Sequence, residues 1–184
     1  MNKSRLRQLA LARRKNVSAR IFALLNESVQ QEFMDFITSF QLPHMIMSFQ
    51  PIVERNEVQM EAIHETLWKL GHQLCFPRVE GENSMQAYQI QAEDTCILSP
   101  WGIPEPKPET SKKVQAKDID LILIPLLAFD AHGNRVGYGK GFYDRFLMDC
   151  RQNALKIGLC LDEAVQRIDD VALGLRTIRI HHTA

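Results

Sequence analysis

The chain has 184 residues, 45% of them hydrophobic, enough for one substantial core, and residues 1–184 read as a single domain. Lys plus Arg and Asp plus Glu number 22 each, so the formal charge is zero; no global field draws the protein to nucleic acid or an anionic membrane, and any anion site has to be local. Cys75, Cys96, Cys150 and Cys160 contain no CxxC pair and no metal-finger spacing, which argues against a disulfide scaffold and fits reduced core thiols in a cytosol.

In chain order, the elements begin with two helices. Leu6, Leu9, Ala10 and Arg13 share one helical face. Ser18 is placed to cap a second helix running to about Phe40, with Ile21, Leu24, Leu25, Val29, Phe33 and Phe36 apolar at helical spacing. The stretch from Lys3 to Lys15 is basic and lacks acidic residues, as a transit peptide would. No apolar h-region follows, however, and the stretch runs straight into an ordinary amphipathic segment, so a cytoplasmic protein is expected. No run approaches the roughly 18 apolar residues of a membrane span.

Pro43 introduces a strand over His44 to Phe49. Val58 to Leu70 carries a helical stripe at Ile63, Leu67 and Leu70 that Gly71 stops, and Leu74 to Val79 is the next strand, giving β-α-β order. Met85 to Ile90 alternates as a half-exposed strand does, whereas the prolines of Pro100 to Pro108 predict irregular chain. Asp120 to Leu127 is an apolar strand, and Lys156 to Leu161 and Thr177 to Ile180 are the last short ones. The alternation predicts an α/β fold: a three-layer, mostly parallel, Rossmann-like sheet with helices on both faces and two N-terminal helices.

Between the Asp120 strand and a helix beginning near Phe142, the chain reads RVGYGKGFYDR from Arg135 to Arg145. With Gly133, this region holds four of the nine glycines, interleaved with Lys140 and arginines. Glycine permits positive φ and lets an anion approach backbone N–H groups, and a following helix offers its own free N–H groups and dipole. A loop leaving the C-terminal end of a strand in such a sheet is where ligands gather, so nucleotide phosphate is the natural candidate. The spacing fits neither GxxxxGK[ST] nor GxGxxG, which excludes the ordinary P-loop and dinucleotide labels. Asp144, in the first turn after the loop, is either a partner of the helix dipole or a carboxylate ligand for Mg²⁺. The histidines supply no one-turn ligand pair, and Cys150 has no recognisable base, so zinc and thiol chemistry are not expected.

These residues resemble the 5-formyltetrahydrofolate cyclo-ligases, also called methenyltetrahydrofolate synthetases. The likeness extends from RVGYGKGFYDR upstream through IPLLAFDAHGN, WGIPEP, FPRV and NSM to KSRLR at the N-terminus, in order and over nearly the whole chain. It implies a reaction in which ATP and 5-formyltetrahydrofolate give 5,10-methenyltetrahydrofolate, ADP and phosphate. The expected partners are therefore ATP, Mg²⁺ and a small folate, with no nucleic acid and no membrane, for a protein acting as a monomer.

Carried over by position, the resemblance puts ATP contacts on Lys3, Ser4, Arg5, Leu6 and Arg7. A second ATP segment comprises Arg135, Val136, Gly137, Tyr138, Gly139, Lys140, Gly141, Phe142 and Tyr143. Lys140 and Arg135 are implied to stabilise charge on the transferred phosphoryl group, and Asp144 and Asp170 to hold Mg²⁺, with Asp169 and Asp162 as alternatives to Asp170. The folate side falls on Phe49, Glu54, Glu57 and the stretch from Tyr138 to Phe142, with Met85, Trp101 and Tyr143 as further packing candidates. The family's acid-hydrophobic-acid-Thr pattern reads Glu57, Val58, Gln59, Met60 here: the first acid is kept, and the second acid and the threonine are replaced. That departure leaves a non-catalytic folate- or nucleotide-binding relative as the alternative reading.

Overall fold

A computed structural model describes residues 2–38, 45–82, 84–162, 165, 167–168 and 178–179. Helix α1, Lys3–Asn16, starts where the Asn2 side chain accepts the Arg5 N–H, and extended Val17 ends it. Helix α2, Ala19–Thr38, buries Val29 and Phe33 of its predicted apolar face, together with Ile37. Strand β1, Met45–Met47, then enters the sheet; Pro43, His44 and the residues after Thr38 lie outside the described chain.

Helix α3 spans Glu61–Lys69, starting later than the sequence predicts because Glu57 to Met60 is irregular chain leading out of a 3₁₀ turn at Val53–Arg55. Strands β2, Gln73–Glu80, and β3, Ser84–Ile90, follow and pair antiparallel. The proline-rich stretch is not wholly irregular: β4, Ile97–Leu98, pairs with β5, Pro104–Glu105. A two-residue ladder tolerates proline at a sheet edge, which the sequence reading did not allow for.

Next come β6, Lys113–Val114, β7, Leu121–Pro125, β8, Ala128–Phe129, and β9, Arg135–Val136. Helix α4, Phe142–Phe146, is shorter than its apolar pattern predicts, although Phe146, Leu147 and Cys150 are buried as expected. Strands β10, Leu155–Leu159, and β11, Ile178–Arg179, complete the described elements.

The main sheet has the order β11-β10-β7-β1-β2-β3-β6. Its pairs from β11 to β2 are parallel, and β2–β3 and β3–β6 are antiparallel. Alternation along the strands sends side chains to two cores. Ile46, Leu74, Phe76, Leu121, Leu123, Ile157 and Leu159 pack with α2 and α3 on one face. Met47, Cys75, Ile122 and Ile124 pack with Phe146, Leu147 and Cys150 on the other. The fold is thus the predicted three-layer α/β arrangement, and the parallel strands turn their C-terminal ends to one edge.

Candidate functional site

Strand β7 ends at that edge and passes through Leu126 into the β8–β9 hairpin, so Arg135 and Val136 lie on a strand at the base of the glycine loop. Asp130 fixes the hairpin turn. Its carboxylate is fully buried and accepts the His132 N–H at 2.9 Å, the Asn134 N–H at 3.0 Å, Asn134 Nδ2 at 2.9 Å and the Ile168 N–H at 3.0 Å. Burial would raise the Asp130 pKa, and these hydrogen bonds reverse the effect and hold it below the ordinary aspartate value.

The loop itself takes two left-handed glycines, Gly139 at φ +96° and Gly141 at φ +71°. With only five residues in α4, the helix supplies less dipole than the sequence suggests, so the loop's backbone N–H groups and the surrounding cations are the groups available to an anion.

Helix α1 brings the first sequence-predicted segment to the second. Leu6 packs with Ala128, Val136 and Ile168, and Arg7 Nε donates to Gly137 O at 2.9 Å. Lys3 is half-buried, and Ser4 and Arg5 are exposed on the same helix. Lys140 is exposed at the loop tip, and its carbonyl accepts from Arg145 Nη2 at 2.9 Å.

Arg135 reaches back under the loop. Its Nη2 binds Asp144 Oδ1 at 2.5 Å, pairing an arginine whose side chain is 9% exposed with a carboxylate that is 60% exposed. Arg135 Nε and the Tyr143 hydroxyl are buried without hydrogen-bond partners among the described residues. Burial lowers the Arg135 pKa, with Asp144 acting in opposition. Asp144 offers the oxygen donor that Mg²⁺ takes from one or two carboxylates, alongside phosphate and water, so its chemistry fits the ion. Asp170 and Asp169 lie outside the described residues. Asp162 is engaged by Arg13 Nη1 at 3.2 Å and lies 3.6 Å from Arg14 Nε.

The folate-side residues diverge. Glu57 is 4% exposed; its Oε2 accepts the Ile52 N–H at 2.6 Å, and its Oε1 accepts the Tyr138 hydroxyl. Burial raises the Glu57 pKa, against the pull of Tyr138, the Ile52 N–H, Arg14 and Arg55. Burial and Glu57 together raise that of Tyr138, and the Arg55 guanidinium lies 4.7 Å from the Tyr138 ring centre.

Glu54 is exposed on the 3₁₀ turn, away from this pair's hydrogen bonds. Phe49 is 3% exposed and sits in the core with α2 and α3, and Met85 is buried in the opposite core. Trp101 is half-exposed, its ring 6.2 Å from that of Phe142. The departures at Gln59 and Met60 are absorbed structurally: the Gln59 N–H donates to Asn26 Oδ1 at 2.8 Å, and Met60 is fully buried. Sequence reasoning did not single out Arg14 or Asn56, which join α1 to the Glu57 turn.

The chain as a whole is similar to proteins of one family. The model of the 5-formyltetrahydrofolate cyclo-ligase family matches residues 1–172. A probable 5-formyltetrahydrofolate cyclo-ligase of Schizosaccharomyces pombe is 30% identical over 133 residues, 66% of this chain and 65% of that protein. A 5-formyltetrahydrofolate cyclo-ligase of Mycoplasma genitalium is 27% identical over 163 residues, 88% of this chain and 86% of that one. Among solved structures, a 5,10-methenyltetrahydrofolate synthetase of Aquifex aeolicus superposes with a TM-score of 0.79 at 27% identity, over 98% of this chain and 90% of that chain. One from Mycoplasma pneumoniae gives 0.70 at 26% identity, over 86% and 84%.

Proposed function

The chain belongs to the 5-formyltetrahydrofolate cyclo-ligase family, a family of ligases, and from that membership we propose that it converts 5-formyltetrahydrofolate to 5,10-methenyltetrahydrofolate at the expense of ATP. The observation that carries the reading is the meeting of its two halves at adjacent loop residues: Arg7 on the Gly137 carbonyl, and Glu57 on the Tyr138 hydroxyl.

A formamide carbon is a poor electrophile because nitrogen donates into its carbonyl, and its oxygen leaves badly. Transfer of the γ-phosphoryl group to the formyl oxygen forms an O–P bond, breaks the bond to ADP and creates a phosphate leaving group. N10 then attacks the formyl carbon, its proton passes to solvent, and phosphate departs as the five-membered ring closes. Positioning and charge supply most of the catalysis in phosphoryl transfer. Lys140 and Arg135 stabilise the transferred group, and Lys3 and Arg7, with the backbone from Arg135 to Tyr143, hold the nucleotide. Asp144 and Asp170 would hold Mg²⁺, which would supply neutralisation of phosphate charge.

On the folate side, Glu57 accepts hydrogen bonds from the amino-pyrimidine edge, and Tyr138 orients it. Gly139 to Phe142, which follow Tyr138 in the loop, are assigned to the folate side with it, while the burial of Phe49 favours a supporting role beneath the site. The sheet gathers strands from Met45 to Arg179, which supports one domain. Among the described residues no helix is long and apolar enough to cross a membrane. ADP release that requires added 5-formyltetrahydrofolate tests the reading; equal ADP release without folate contradicts it.

A further inference from the structure

Helix α1 is fastened to the site at two points. The first, Leu6 and Arg7, serves the glycine loop. The second is Arg14, whose side chain is 5% exposed although it carries a full charge. Its Nη2 donates to Leu126 O at 2.6 Å, just past β7, and its Nε faces Asp162 just past β10. Its main-chain carbonyl accepts from Asn56 Nδ2 at 2.7 Å. Asn56 has φ +46°, the positive-φ non-glycine residue of the described chain, and Glu57 follows it directly. The Arg14 side chain thus pins the end of α1 to two loops at the C-terminal edge of the sheet, and the main-chain carbonyl that this pin holds in place ties the helix to a third.

We infer that Arg14 is a positioning residue for the folate half of the site: its pinned side chain fixes the end of α1, and through Asn56 that end sets the turn that aims Glu57. The inference rests on the folate role given to Glu57 above. The groups facing Glu57 are Tyr138 and the Ile52 N–H by hydrogen bond, with Arg14 from α1 and Arg55 from the turn acting through their fields. Burial works against the charge on Arg14 itself, and Cys160, Tyr138, Asp162 and Glu57 more than offset it. Arg14 also holds Leu126 at the entry to the β8–β9 hairpin, but the nucleotide half has a further anchor of its own at Leu6 and Arg7, so it responds less than the folate half when Arg14 is changed.

The test uses the full chain with Arg14→Met and Arg14→Lys, alone and combined with Glu57→Gln. Arg14→Met is expected to raise the KM for 5-formyltetrahydrofolate on the order of tenfold while the KM for ATP stays within about twofold, with most of the loss recovered by Arg14→Lys. In unfolding measurements, Arg14→Met costs less in the Glu57→Gln background than in the wild type. Equal changes in both KM values, or additive unfolding costs, overturn the inference. If the wild-type protein turns over no folate, the folate reading falls by itself, and the unfolding cycle still decides whether Arg14 and Glu57 are coupled. If Arg14→Met does not fold, Asn56→Gly, which keeps the positive φ and cuts the tie, is expected to raise the folate KM alone; an unchanged value overturns the inference.

Discussion

The Arg7 guanidinium donates to the Gly137 carbonyl and lies 3.1 Å from where a Cβ at Gly139 would sit. Two segments separated by most of the chain thus share one contact, and the loop's left-handed glycine is what gives the arginine room. Gly139→Ala is expected to cost about 1–2 kcal/mol in backbone strain and to weaken ATP binding by displacing Arg7. Calorimetric titration with MgATP beside thermal unfolding checks this; wild-type affinity and stability together would contradict it.

Lys140 is exposed at the loop tip. Lys140→Ala is expected to lower kcat by on the order of 10²–10³ while changing unfolding free energy by less than about 0.5 kcal/mol. Steady-state kinetics with a denaturation curve separate the two effects. Full activity would remove Lys140 from the mechanism.

His64 sets one acid limit on the fold. It is 4% exposed on α3, its Nε2 lies 2.6 Å from the fully buried Ser48 Oγ, and burial lowers its pKa from 6.5 to about 4. Because the folded value lies below the unfolded one, the stability contributed by neutral His64 is complete above pH 6.5 and is lost as pH falls toward about 4. The loss amounts to roughly 3 kcal/mol at its limit. Unfolding free energy measured between these pH values should fall in the wild type and fall less in His64→Gln; parallel curves would contradict the assignment.

Asp130 sets another. Its folded pKa is lowered, so its contribution is present above the ordinary aspartate range and is lost as pH falls through the folded value. Asp130→Ala leaves buried donors unpaired and is expected to cost about 2–4 kcal/mol, with faster hydrogen exchange at His132 and Asn134. Slow exchange retained in the variant would show that the turn holds without its carboxylate.

The strand-loop-helix course around Gly137 was legible in the sequence because apolar runs, glycines and cations occur there together. Leu121 and Leu123 facing one core and Ile122 and Ile124 the other follow from alternation in a strand buried on both faces. The β8–β9 hairpin was missed: its strands are two residues each, and it is held by Asp130, a residue that any polar turn can contain. The Arg135–Asp144 pair and the Glu57–Tyr138 contact depend on side-chain direction across distant segments, which periodicity does not carry. Phe49 shows the converse. The resemblance assigns it to the folate side, and its burial among α2 and α3 residues depends on packing that a single aromatic position does not reveal. Arg14 reads as one more surface cation in a basic helix until the fold closes over it.

The account turns on phosphoryl activation of the formyl oxygen by this chain. Purified protein mixed with 5-formyltetrahydrofolate and followed by methenyltetrahydrofolate absorbance tests that most directly, with ATP and Mg²⁺ present together and each omitted in turn. Product should form at a stoichiometry of one per ADP released and only with both added. Binding of folate and ATP without product, or product formed without ATP, would contradict the account.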